Sequence, residues 1–205
     1  MHVTRPLTAK GMATRGRIIE AAARLIRADG VEHTGLEAVL DASSTSKGQL
    51  FHYFPDGRAD LLYAVAVHEA NQVIADQQPY LDSLGPDGTW QAWRDAVVAR
   101  YRVQGRACPL TALTSQLRQS EPRIGPLIVG LLDDWHSRIA AGLRRWQTDG
   151  GRLASGGADA VGAVILTAIQ GGASLLTSTG QIDYLETALD ASLAYAGVSP
   201  LDPAS

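Results

Sequence analysis

Residues 34–54 read Thr34-Gly35-Leu36-Glu37-Ala38-Val39-Leu40-Asp41-Ala42-Ser43-Ser44-Thr45-Ser46-Lys47-Gly48-Gln49-Leu50-Phe51-His52-Tyr53-Phe54. Two short apolar sets, Leu36/Val39/Leu40 and Leu50/Phe51/Phe54, flank a polar stretch, Asp41–Ser46. Spacings of three and four within each set predict two short helices. Asp41–Ser46 is too rich in capping residues to continue the first, so it reads as a turn. Thr34 followed by Glu37 predicts a capping box at the first helix. Ser46 is placed to cap the second, which runs from Lys47 to Phe54, and Pro55-Asp56-Gly57 breaks it. Upstream, Ile18, Ile19, Ala22, Leu25 and Ile26 predict a helix over 14–29, stopped by Gly30. A longer helix followed by two short ones across a tight turn is the pattern of a helix-turn-helix.

The second short helix turns Lys47, Gly48, Gln49, His52 and Tyr53 outward. Lys pairs with guanine O6/N7 and Gln with adenine N6/N7. Hydroxyls such as those of Thr45, Ser46 and Tyr53, and helix N-termini, bond phosphates. Gly48 allows close backbone approach. An ordinary solvated helix face has the same composition, and the residues alone leave both readings open. Charge along the chain bears on the choice. Residues 1–28 carry Arg5, Lys10, Arg15, Arg17, Arg24 and Arg27 against Glu20 alone, although the whole chain has a formal net charge of -3. Basic N-terminal arms often bind nucleic acid.

The chain has 205 residues, 45% of them hydrophobic and 19% charged. That composition excludes wholesale disorder, and the length supports a sizeable core. A single cysteine, Cys108, excludes an intrachain disulfide and a Cys-based zinc or iron–sulfur site. The start lacks a secretory signal. The most apolar segment, Ala158–Leu176, is interrupted by Asp159, Gln170 and glycines, so no membrane span is expected. A cytoplasmic protein is expected. The remaining elements also read as helices: 58 to about 78, 89–104, 109–119, 122–148, 156–179 and 182–196. This predicts an all-α fold of about nine helices with no hairpin or βαβ pattern.

Residues 14–62 resemble the DNA-binding domain of the tetracycline-repressor (TetR) family of bacterial transcription regulators. The resemblance is carried by Arg17-Ile18-Ile19, Ala21-Ala22, Leu25-Ile26, Gly30, Thr34-Gly35-Leu36, Val39, Ser46 through Phe54, and Leu61-Leu62. Four departures from the family pattern stand out. Leu40 stands for an Ala, Ser43-Ser44-Thr45 for the Ala-Gly-Val turn, Phe51 for a Tyr, and Pro55-Asp56-Gly57-Arg58 for a Ser-Lys ending. Ser44 tolerates a positive φ less readily than Gly. Phe51 lacks a hydroxyl for phosphate, while Arg58 can take the family lysine's phosphate role. Phe54–Arg58, Cys108-Pro109-Leu110 and Ile169-Gln170-Gly171-Gly172 are similar to a subgroup of lincomycin- and flavonoid-responsive repressors.

The resemblance implies a flexible basic arm (1–13), a helix-turn-helix domain (14–60) and a ligand-binding and dimerisation domain (61–205). It implies DNA contacts by Arg15, Arg17, Thr34, Thr45, Ser46, Lys47, Gly48, Gln49, His52, Tyr53 and Arg58. Candidate pocket residues are Trp90, Trp93, Tyr101, Cys108, Leu110, Leu113, Gln116, Leu117, Trp135 and Gln170. Apolar pockets with a few polar groups suit small molecules, although aromatic stripes at this spacing are more often plain core. Candidate dimer-interface residues are Ile165, Ile169, Gly172, Leu176, Leu185 and Leu189. No catalytic residue, metal or cofactor is expected. His136 beside Asp133 and Asp134 has too few companions for a di-iron site, and His68-Glu69 lacks the second His of a zincin helix. The expected function is a ligand-responsive, homodimeric regulator, released as a repressor from a palindromic operator by a small apolar or aromatic molecule. Its partners are double-stranded DNA, that effector and a second copy, without a membrane. The alternatives are an all-α enzyme, or a ligand- or protein-binding module that keeps the head without binding DNA.

Overall fold

The computed structural model describes residues 7–86, 89–106, 121–153 and 156–198. Eight α-helices lie among them, and no strand. They are α1 (Ala9–Asp29), α2 (Leu36–Ser43), α3 (Lys47–Tyr53), α4 (Arg58–Ala75), α5 (Thr89–Gln104), α6 (Ile124–Thr148), α7 (Gly157–Thr179) and α8 (Asp183–Ala196). The all-α expectation holds. The helix expected over 109–119 lies outside the described residues, as do Cys108, Leu110, Leu113, Gln116 and Leu117.

Two compact units are present. The first comprises the chain up to Glu69 with the segment that ends at Leu127. Its core forms where α1 lies against α2 and α3, burying Ile18, Ala22, Val39, Leu50 and Phe54. Helix α1 begins at Ala9, five residues earlier than the apolar period suggested. Thr8 caps it, its Oγ1 accepting from the Gly11 amide at 3.2 Å. Residues 9–13, expected in a flexible arm, are therefore helical. Gly30 ends α1 at φ 86°, its amide donating to Ile26 O at 2.9 Å.

The start of α2 differs from expectation. Gly35 is its N-cap, and no side chain caps it. Thr34 is only 5% exposed and donates to Gly30 O at 2.9 Å instead. Its hydroxyl closes the end of α1, so no capping box forms with Glu37. Helix α2 also continues through Ser43, into the expected turn. The Ser43 hydroxyl donates to Val39 O at 2.7 Å, which satisfies it within the helix. The turn proper starts at Ser44, which adopts the left-handed conformation (φ 51°, ψ 48°). That is the conformation the family glycine supplies without a Cβ penalty.

The second unit comprises Ala70 onward through α5, and Ile128 onward. Helices α7 and α8 pack with Leu185 against Gly172. A Cβ built on Gly172 would lie 2.5 Å from Leu185 Cα, so only glycine permits this approach. Around that crossing Ile165, Ile169, Leu176, Leu185 and Leu189 are all buried. Asp190 of α8 receives a bidentate grip from Arg94 of α5, at 2.7 and 2.8 Å. Trp93 is fully buried and donates to Gln77 Oε1 at 2.9 Å.

Candidate nucleic-acid interface

Local sequence builds α3 and its presented face. Ser46 and Gln49 form a reciprocal capping box: the Gln49 amide donates to Ser46 Oγ at 3.2 Å, and the Ser46 amide donates to Gln49 Oε1 at 2.9 Å. Leu50 is buried and points to α1, so the opposite face is turned out. Ser46, Lys47, Gly48, Gln49 and His52 are all exposed there. A Cβ on Gly48 would meet only Ser46 Oγ, at 3.9 Å. The fold itself therefore does not require glycine at this position.

The other expected contact residues divide. Arg17 is exposed. Arg15 is half-buried and lies over the Phe54 ring, 5.4 Å from its centroid. Tyr53 is half-buried, edge-on to His52 with ring centroids 4.9 Å apart. Its hydroxyl lies 3.4 Å from a Cβ built on Gly11, beside the start of α1. Thr45 Oγ1 is 2.6 Å from Ser43 Oγ.

Three residues take roles other than the expected ones. Thr34 faces inward, as described, and offers no side chain to a partner. Gln49 Oε1 is engaged in the cap, so adenine readout by this side chain would have to share or exchange that bond. Arg58 was expected at a phosphate. Its guanidinium instead donates to two backbone carbonyls, Thr34 O through Nη1 and Val31 O through Nη2, the latter at 2.5 Å.

A side-chain cluster with no local sequence signal surrounds the first turn of α4. Arg123 donates to Asp60 Oδ1 at 3.1 Å and to Glu121 Oε1 at 2.8 Å. Its guanidinium lies 4.8 Å from the Tyr63 ring centroid. The Glu121 carboxyl is held below its ordinary range, first by the hydrogen bond from the Arg123 side chain. A separation of about 60 residues hides such a cluster from any periodicity argument.

In the second unit Trp90, Trp93, Tyr101 and Trp135 are all buried. Trp90 meets Trp93 edge-on, 5.9 Å between centroids. Trp90 Nε1, Trp135 Nε1 and Gln170 Nε2 are buried donors without an acceptor among the described residues. His136 Nε2 lies 2.8 Å from Asp159 O, so that ring is engaged by the backbone. Among the described residues no group of three His, Cys, Asp or Glu is gathered for a metal.

All six expected dimer-interface residues are inside one protomer. Ile165, Ile169, Gly172, Leu176, Leu185 and Leu189 are used up in the α7–α8 contact and have no surface to offer a second copy. The sides of α7 and α8 named from their apolar spacing are the ones that face the interior of the protomer. Val164 and Leu175 are the large apolar residues that α7 leaves exposed.

Residues 18–65 match the family model described as bacterial regulatory proteins, tetR family. Over these residues the chain is similar to this family's DNA-binding region. An uncharacterized HTH-type transcriptional regulator of Mycobacterium tuberculosis is 29% identical over 143 residues, 64% of this chain. The match spans 64% of that protein's length as well. The uncharacterized HTH-type transcriptional regulator YxaF of Bacillus subtilis is 24% identical over 173 residues, 82% of this chain and 87% of YxaF. Among solved structures, the regulatory protein TetR from Rhodobacter sphaeroides superposes with a TM-score of 0.75 at 21% identity. That superposition covers 89% of this chain and 98% of the other, and it shows a shared fold. The TetR family comprises transcriptional regulators rather than enzymes.

Proposed function

We propose that this chain is a homodimeric DNA-binding regulator of the TetR family whose second unit takes a small apolar or aromatic effector. The observation that carries the reading is the exposed α3 face. Lys47 and Gly48 stand free, and His52 is exposed beside the Tyr53 ring, on a helix whose cap and inner face are otherwise fully engaged. A recognition helix reads base edges through residues near its N-terminus, and Lys47 is its first residue. Exposed Arg17 on α1 adds sequence-independent phosphate attraction.

Dimerisation is supported by α7. It is the one described helix long and apolar enough to cross a membrane by composition, yet only 39% of its most apolar stretch is buried. Its exposed residues include Ala163, Val164, Thr167, Gly171 and Leu175, while its one charged residue, Asp159, lies in the first turn. An apolar helix with an open side needs cover, and we assign that cover to the same helix of a second copy. A two-fold interface of this kind is self-complementary. The buried tryptophans and the unpaired donors of Trp135 and Gln170 support an effector that brings hydrogen-bond acceptors on an apolar frame. The effector releases the protein from DNA only by binding the DNA-incompetent conformation more tightly. The similarity to YxaF supports placement in the subgroup named from the sequence.

Selection of duplexes from a random pool tests the reading. The expected product is an inverted repeat with half-sites about 34–36 Å apart, one helical turn. A pool that shows no enrichment over many rounds favours the binding module that keeps the head without binding DNA.

A further inference from the structure

We infer that Arg58 is a positioning residue, which clamps the turn before α2 to the first turn of α4 and so sets the presentation of α3. The inference deepens the DNA-binding reading and rests on it. Arg58 is the first residue of α4. Its two terminal nitrogens donate to Thr34 O and Val31 O. These carbonyls border the tight turn between α1 and α2, where the Thr34 amide also donates to Val31 O at 3.3 Å. Val31 and Thr34 are both buried residues, and for the Thr34 carbonyl the guanidinium is a donor whose loss leaves a part-buried acceptor to be satisfied otherwise.

The local structure depends on this grip. Helix α2 starts two residues after Thr34, behind a Gly35 cap that has no side-chain hydrogen bond. Without a side-chain cap, the entry to α2 is held by Arg58 from α4 and by the Thr34 hydroxyl, which donates back to Gly30 O at the end of α1. Helix α2 leads to α3 through Ser44 alone in the left-handed conformation, so orienting α2 orients the presented face. On its other side, the same turn of α4 is held by Arg123 through Asp60. The first turn of α4 is thus tied both to the helix-turn-helix and to the segment that leads into α6.

A phosphate role would use the guanidinium differently. A planar fork on two carbonyls is oriented by them, and leaving for a phosphate would take the guanidinium donor from both, with Val31 O keeping the Thr34 amide. Lysine separates the alternatives, because it keeps the charge but cannot span both oxygens.

The test uses full-length wild type, Arg58→Lys and Arg58→Ala. Affinity for a selected duplex is measured against salt, well below each protein's Tm. Amide hydrogen exchange at residues 31–36 is followed in parallel. The expected result is that both variants bind about tenfold or more weakly, with the salt slope of wild type and faster exchange at 31–36. Arg58→Lys binding like wild type, with Arg58→Ala losing about one unit of salt slope, would assign a phosphate contact and overturn the inference. A lower Tm with unchanged affinity would leave only a fold-stabilising role and overturn it equally. If wild type binds no duplex, the DNA-binding reading fails separately. The exchange measurement then still decides the clamp, and unchanged exchange refutes it.

Discussion

At the scale of single residues, two positions separate what the fold needs from what a partner needs. Gly48 sits in the first turn of α3 with open space where a Cβ would go. Alanine is the better helix former by about 0.5–1 kcal/mol. Gly48→Ala should therefore raise the denaturation midpoint and, on the proposed reading that the glycine gives the backbone room to approach DNA, weaken DNA binding. Equal or tighter binding by a stabilised variant would remove Gly48 from the interface. Ser44 presents the opposite case. Its left-handed backbone costs an L-residue about 1–2 kcal/mol, so Ser44→Gly should raise Tm by a few degrees and leave DNA affinity intact. A lower Tm on calorimetry would mean that the serine side chain makes a contact worth more than the strain.

At the scale of elements, α7 carries the dimer prediction. Leu175→Glu puts a charge on its open face and should give a folded monomer with weak DNA binding. A variant still dimeric by sedimentation moves the interface to another helix. Leu176→Glu would not serve, because Leu176 is buried against α8 and the charge would disrupt the fold. The Arg123 cluster carries a pH prediction. The folded-state pKa of Glu121 lies below its ordinary 4.5. Its contribution to stability is then complete above about that pH and is lost as pH falls through the folded value. Glu121→Gln should flatten the acid limb of the stability curve, whereas parallel curves for variant and wild type contradict the pairing. The elements themselves were largely legible in the sequence. Apolar spacing located each described helix to within a few residues. Side assignment was less legible: α7 is apolar on much of its circumference, and period alone cannot say which side meets α8. The glycine that decides it, Gly172, does so through a close approach that no local pattern records. Thr34 failed for a related reason, since a capping hydroxyl can serve the helix before it as readily as the one after.

At the scale of the whole molecule, average charge gave poor guidance and charge position gave good guidance. A net of -3 hides a basic N-terminal helix and an α3 face that begins with Lys47. Among the proposed contact residues, Lys47, Gly48 and Arg17 stand free and His52 is exposed beside Tyr53. Arg15, Tyr53 and Thr45 are partly engaged within the fold, and Thr34, Gln49 and Arg58 are committed elsewhere. Those commitments run between groups brought together by tertiary structure, or, for Gln49, by a cap that uses the same atom as base readout.

The central claim, that the exposed face of α3 reads DNA, is tested most directly by the affinity of Lys47→Ala for a duplex selected by wild type, at fixed salt. The account predicts binding weaker by about tenfold or more, with relaxed preference at one base pair and an unchanged Tm. Unchanged affinity and preference in a folded variant would contradict it.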